Sequence, residues 1–263
     1  MAPVGQAAGL ALPRFPLTGY GTEVAKRAKP GAKKRGKAKR ARPFRRLFGW
    51  AVRLLALAVV LVLVVVLAHS RLNPTLDYYM WSEEQRLGSI DRHWVDIEDV
   101  APVMARSIVA AEDANFCSHW GFDMNAIRAA LEEGGGRGGS TVTQQVVKNV
   151  YLWHGRSYAR KALEALLTPV VETFWSKRRI LEVYMNVAEF DEGVFGVEAA
   201  ARHYFGVSPA RLSALQAARL AAILPAPQSW SASQPTNYVR RRTSSIMDGA
   251  ATIAADGRAA CFE

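Results

Sequence analysis

From Leu54 to Ala68 the chain runs through 15 apolar residues without a break, and extending back to Leu47 gives 22 interrupted only by Gly49 and Arg53. A helix needs about 20 mostly apolar residues to cross a bilayer core, so the pattern predicts one transmembrane helix over 47–68. From about residue 98 the apolar positions recur at helical spacing instead. "PVMARSIVAAED" sets Met104, Ile108 and Val109 on one face. "DMNAIRAALEE" runs from an Asp123 cap to the glycine cluster Gly134–Gly136. Further helices are expected over Val142–Tyr151, over Tyr158–Trp175, from a Ser176 cap through "SKRRILEVYMN", and along "GVEAAARHYFG" to Gly206. "SPARLSALQAARLAAILP" offers Ser208 as cap, Pro209 at a helix start and Pro225 as stop. No sustained alternation marks a sheet, and no internal repeat is evident. The expected organisation is a basic tail (1–46), the membrane helix (47–68), an extended or mixed linker (69–94), a mainly α domain (95–255) and a C-terminal tail (256–263).

Charge changes the picture at one end only. Residues 1–46 hold 13 Lys/Arg against one acid, Glu23, for +12, whereas residues 47–263 hold 21 against 22, for −1. The net +11 therefore belongs to the tail, which removes the basic folded face that nucleic-acid binding wants. The tail, rich in Lys, Arg, Gly, Pro and Ala, has little to bury and is expected to be disordered, with anionic lipid headgroups as an expected contact. Because the Lys26–Arg46 cluster flanks only one side of the apolar run, residues 1–46 are expected in the cytoplasm and residues 69 onward outside it. Arg53 lies near the end of the span, where it can snorkel. A cleaved signal peptide is the poorer reading: the apolar run is long, starts late, and "AHSRLNP" is a poor cleavage site. Cys117 and Cys261 then face the oxidising side, although the sequence does not say whether they pair, and two cysteines make no metal pattern.

Candidate chemistry gathers in four places. Glu112 closes a helix that is otherwise apolar on that face, and a carboxylate against apolar surface can serve as a general acid or base; a helix-end polar pair with Asp113 is the plainer alternative. Glu164 lies four residues after Arg160 and three after Lys161, one side of a helix, which equally describes an ordinary ion pair. "RGGSTVTQQVVKNVYLW" sets hydroxyls and glutamines beside Lys148 and Asn149, enough to hold a large anionic ligand. It is no nucleotide P-loop, lacking the lysine before Ser140 and a preceding strand. Lys148, Arg160 and Lys161 can still meet phosphate. The five histidines (69, 93, 119, 154 and 203) show no metal-binding spacing.

"EDANFCSHWG" (112–121), "GGSTVTQQVVKN" (138–149), "RKALE" (160–164) and "SKRRILEVYMN" (176–186) follow in order, extended by "GVFGVEAAARHYFG" (193–206). Together they resemble the peptidoglycan glycosyltransferases (glycosyltransferase family 51), lysozyme-like enzymes that polymerise lipid II. The resemblance covers roughly 85–255; one anchor and no penicillin-binding domain following are similar to the monofunctional branch of Gram-negative bacteria. It implies a mainly α, lysozyme-like domain behind a single membrane helix. It implies Glu112 as the general base that deprotonates the C4 hydroxyl of the acceptor sugar, and undecaprenyl pyrophosphate as leaving group. It implies Lys148, Arg160 and Lys161 as compensating cations. Glu164 would be the second essential carboxylate, orienting those cations or helping to hold a divalent ion (Mg or Mn). Ser140, Thr141, Gln144, Gln145 and Asn149 would position donor sugar and phosphate. The partners it implies are lipid II, the growing polyprenyl-linked glycan and cell-wall elongation or division proteins.

Two rivals stand beside it. A lytic transglycosylase or muramidase shares the fold and one glutamate, but finished glycan carries no pyrophosphate for the cation group to meet. A membrane-tethered scaffold binding cell-wall precursors would have no use for an uncompensated carboxylate facing an anionic ligand.

Overall fold

The computed structural model describes residues 43–75, 77–132, 139–155 and 157–263. Residues 1–42 of the tail expected over 1–46 and the glycine cluster Gly134–Gly136 lie outside the described residues, while residues 43–46 begin α1. Residues 1–48 and 49–263 are separate units, and the second carries the core and the candidate site. The apolar run is helical, α1 being Pro43–His69. Its side chains are exposed along almost the whole length, but Val66 is fully buried. The last carbonyls of a helix have no partner within it, and here the protein supplies them: the Trp175 indole donates to Val66 O at 2.8 Å and the Arg179 guanidinium to His69 O at 3.2 Å. A guanidinium also suits the negative end of the helix dipole.

The segment expected as a linker holds a helix, α2 (Tyr78–Leu87), capped by Asp77, whose carboxylate accepts from Met80 N, and ended by left-handed Gly88. It buries fully only Met80, too little apolar periodicity to be read from sequence. Then come α3 (Pro102–Glu112), α4 (Met124–Glu132), α5 (Val142–Tyr151), α6 (Tyr158–Phe174), α7 (Lys177–Val187) and α8 (Gly196–Phe205), close to the spacing-based expectation. Three strands of two or three residues, β1 (Asp91–Arg92), β2 (Glu189–Asp191) and β3 (Val194–Phe195), make a small sheet in the order β1-β3-β2, with β1 parallel and β2 antiparallel to β3. They are too short to leave an alternating pattern.

The run expected as one helix from Ser208 splits. Pro209–Arg211 forms a single 3-10 turn, Leu212 is extended and buried, and α9 (Ala214–Ile223) starts afresh at Ser213. Ser213 and Gln216 form a capping box there, and this reciprocal pair outcompetes continuation through Leu212. α10 (Asn237–Ala255) was not anticipated; Thr236 caps it, and its surface is largely polar. It packs on α3 and α9, helped by Gly249, where a Cβ would stand 3.1 Å from Ala110 Cβ.

The core is one cluster running through α3, α5, α7, α8 and α9. α5 lies between α6 and α7. Buried Asn186 holds the chain before α3 to α7: its side chain accepts from Val95 N and donates to Val95 O, both at 2.9 Å. Gly121 has φ +83°, and a Cβ there would come within 2.5 Å of Thr168 Cγ2, so the loop after α3 can close on α6 only with glycine. Cys117 and Cys261 form a disulfide. It fastens the segment after α10 to the loop that follows α3, where Phe262 is buried 6.4 Å from the Phe116 ring. The bridge closes a loop of 144 residues, so replacing both cysteines by serine is expected to cost about 2–4 kcal/mol, read as a lower thermal midpoint that reductant no longer changes. An unaltered midpoint would show that the bridge carries no stability.

Candidate active site

The site forms where α3 ends, α5 begins and α6 passes beside them. The helix-terminal Glu112 and the Asp113 after it divide the work. Asp113 is buried and turned inward: Oδ2 accepts the Val142 N–H at 3.0 Å and Oδ1 pairs with His119 Nε2 at 2.7 Å. Asp113 thus takes up a free amide of the first turn of α5. Lys177 holds the same loop, donating to His119 O and to Glu172, both at 2.8 Å, and lying over the Phe116 ring.

Glu112 lies between two cavities. One, of about 400 Å³, is lined by Glu112, Asp123, Gly139 and Ser140 among others. The other, of about 210 Å³, is lined by Gln145, Lys148, Asn149, His154 and Glu189 among others. Gln145 Nε2 donates to Glu112 Oε2 at 2.9 Å, while Gln145 Oε1 accepts from the Tyr184 hydroxyl at 3.1 Å. The tyrosine therefore decides which end of the amide faces the glutamate. Arg242, on α10, reaches Glu112 Oε1 at 3.4 Å and is anchored on Ala222 O. Burial raises the Glu112 pKa above the ordinary carboxylate value; the Gln145 hydrogen bond, Arg242 and Lys148 oppose that rise and Asp113 adds to it. Such a carboxylate accepts a proton more readily than an exposed one.

The second carboxylate is held differently. Buried Glu164 accepts from Arg160 Nη1 at 2.9 Å and pairs through its other oxygen with Lys161. Lys161 is half exposed and also donates to Ser140 Oγ at 2.9 Å. Lys148 lies within electrostatic reach of both carboxylates. Burial and Arg160 lower its pKa, against the pull of Glu164 and Glu112. In the second cavity burial, then Lys148 and Arg160, push His154 down to about 4, so its ring is neutral, stacked on Tyr79.

The residues anticipated from sequence thus separate by role. Glu112, Lys148, Arg160, Lys161, Glu164 and Ser140 come together as expected. Thr141 and Gln144 form the capping box of α5, and the Thr141 hydroxyl donates to Gly121 O at 2.7 Å. Both are buried and hold the helix start, and Thr141 also lines the cavity beside Glu112. Gln145 touches Glu112 and positions it. Asn149 is nearly buried, with Oδ1 unpartnered, and lines the smaller cavity. Nor does the donor set suit a divalent ion. Both Glu164 oxygens are already neutralised by cations, and no cluster of three metal-ligating side chains occurs among the described residues. Sequence reasoning missed Asp113, His119, Tyr184 and Arg242. Asp113 and His119 lay in view as an acid and a histidine six apart; nothing local pointed to Arg242.

The family model of transglycosylases matches residues 79–251, from α2 to α10 and across every side chain of this site. The chain belongs to the transglycosylase family. This transglycosylase is 55% identical over 240 residues to the biosynthetic peptidoglycan transglycosylase of Jannaschia sp. (strain CCS1), covering 91% of the chain and 99% of that relative. With the protein of the same name from Caulobacter vibrioides it shares 46% over 215 residues, 79% and 94% of the two chains. A third, from Pseudomonas entomophila, is 56% identical over 157 residues, 58% of this chain and 66% of its own.

The two glutamates should respond oppositely to mutation. Glu164→Ala leaves Arg160 and Lys161 without their anion and, with Lys161 half exposed, is expected to cost about 1–3 kcal/mol in urea unfolding. The raised Glu112 pKa means that the folded state holds that proton more tightly than the unfolded chain. Stability is therefore lost as pH rises from the ordinary carboxylate range through the raised value. Glu112→Gln removes this loss, so its stability relative to the parent should increase as pH rises above the ordinary carboxylate range; a constant difference would contradict the raised pKa.

Proposed function

We propose that this transglycosylase is a peptidoglycan glycosyltransferase that joins lipid II units into β-1,4-linked glycan with inversion, releasing undecaprenyl pyrophosphate. The observation that carries the reading is the pairing of a buried, Gln145-held carboxylate with a cation cluster in which Arg160 and Lys161 bind Glu164 and Lys148 lies within electrostatic reach of both glutamates. The two parts answer the two demands of the reaction. A sugar hydroxyl must lose its proton as it attacks, and a pyrophosphate must leave with its growing charge compensated.

Glu112 takes the proton from the acceptor's C4 hydroxyl. That oxygen forms a bond to C1 of the donor N-acetylmuramic acid as the C1–O bond to pyrophosphate breaks. Attack from the face opposite the leaving group turns the donor's α linkage into a β bond. Lys148, Arg160 and Lys161 receive the pyrophosphate, and Glu164 fixes the last two so that they are in place before charge develops. Hydrolysis of finished glycan would leave those three cations without an anion to meet. The apolar part of α1, Arg46–His69, is 24 residues long and compatible with single-pass anchoring. We assign it to the inner membrane with the N-terminus cytoplasmic, on the strength of the charge asymmetry around it, and the disulfide suits an oxidising compartment on the other side.

Incubation of the detergent-solubilised protein with labelled lipid II is expected to give a ladder that muramidase digests, absent with Glu112→Gln. Lys148→Ala should lower use of the donor far more than docking of the acceptor. Release of anhydromuropeptides from intact sacculi without any ladder would replace this reading with the lytic one.

A further inference from the structure

The loop that follows Glu112 has little of its own to hold it. Its one helical element before Gly121 is the single 3-10 turn Phe116–Ser118, and Ala114, Asn115, Ser118 and Trp120 are exposed. Yet the loop starts at the base itself, and an error of about 1 Å at a reacting group can cost about 100-fold in rate. What fastens it comes from α10 and the segment after it, 256–263. On one side of the base, Arg242 of α10 donates to Ala111 O and to Glu112 Oε1, both at 3.4 Å. On the other side, Arg258 Nη1 donates to Ala114 O at 3.0 Å, Cys261 is bonded to Cys117, and Phe262 is buried beside the Phe116 ring. Lys177 covers that same ring and holds His119 O, and the His119 ring holds Asp113.

The seat of the segment is thin. Of its eight residues only Ala259 and Phe262 are buried. Arg178 of α7 donates to Phe262 O at 2.8 Å, and Arg106 of α3 reaches the Glu263 carboxylate at 3.4 Å. A cavity of about 310 Å³ lies beneath, lined by Val100, Ala105, Arg178 and Phe262 among others. Ordering eight residues costs conformational entropy against two buried side chains and a few polar contacts at the surface. The covalent bond therefore decides whether the segment stays seated. Cys117 and Cys261 are both partly exposed, within reach of a small dithiol.

We propose that residues 256–263 are a clasp that positions Glu112 through the loop 113–119, and that the Cys117–Cys261 bridge keeps the clasp closed. The inference rests on the proposed reaction for the role of Glu112 and adds a control on it. A dithiol opens the clasp by thiol–disulfide exchange. It gives two electrons and two protons to the bridge; the S–S bond breaks, Cys117 and Cys261 become thiols, and the dithiol closes to its own disulfide. Turnover is then high where the pair is oxidised and low where it is reduced. The segment lies past residue 251, where the family match ends, and the control is a device added to the catalytic fold.

The test compares the full chain in detergent before dithiothreitol, after it, and again after reoxidation with oxidised glutathione, at a temperature where the reduced protein is folded. On reduction, amide exchange of residues 113–121 and of Val142 is expected to accelerate about tenfold beyond any change in α7 and α9. With lipid II, kcat should fall about tenfold with KM within about twofold. The acidic limb of kcat/KM should move to lower pH, because the opened loop admits water to Glu112 and relieves the burial that raises its pKa; a smaller folded fraction would leave the limb in place. Reoxidation should restore all three. Cys117→Ser with Cys261→Ser should show the reduced values with or without dithiothreitol, and Arg258→Gln, which keeps the bridge, a smaller loosening of the same loop. Exchange that accelerates equally everywhere, or not at all, overturns the clasp. So does a loosened loop with kcat and the limb unchanged, or a loss of rate that dithiothreitol also causes in the double-serine protein. No polymer from the oxidised protein, while reduction still loosens the loop, overturns the reaction alone.

Discussion

A hydrogen bond from Val142 N–H to the Asp113 carboxylate, 3.0 Å long, joins the end of α3 to the beginning of α5. Glu112 is the last residue of one helix; Gln145, Lys148 and Asn149 lie along the other. Once this junction is made, the base meets the amide that orients it, and Lys148 comes within reach of both carboxylates. The supports of the junction are correspondingly dense. His119 holds the other Asp113 oxygen, Lys177 holds the His119 carbonyl, and Gly121 lets the loop close under Thr168.

Around that junction two carboxylates face opposite electrostatic problems. Glu164 is surrounded by charge it neutralises and serves as scaffold for two cations. Glu112 is underpaired: a neutral amide and an arginine at 3.4 Å leave burial as the largest influence on it. A tighter ion pair would have depressed its pKa and removed its affinity for a proton. The separation keeps Arg160 and Lys161 on Glu164 and leaves Lys148 as the one of the three that acts on the base.

How much of this could be read from the sequence depended on the range of each interaction. Arg160, Lys161 and Glu164 were legible because a helix brings residues three and four apart together. Thr141 and Gln144 carry a local signal with two readings: Thr-x-x-Gln before an apolar run is a capping-box pattern, and the same side chains suit a sugar. The hydrogen bonds show the cap. Arg242 was illegible because it reaches Glu112 across 130 residues, a range at which helical spacing gives no signal. The sheet went unseen for want of length. α2 was missed because it buries so little, and the helix at Ser213 because Pro209 looked like the stronger start.

The dependence of kcat/KM on pH, measured with lipid II for the parent and for Arg242→Gln, tests the central claim most directly: that Glu112 is the base and its burial sets its pKa. The account predicts an acidic limb above the ordinary glutamate range, displaced to higher pH in the variant because Arg242 lowers the Glu112 pKa. An acidic limb at the ordinary carboxylate value, unmoved by the substitution, would contradict it.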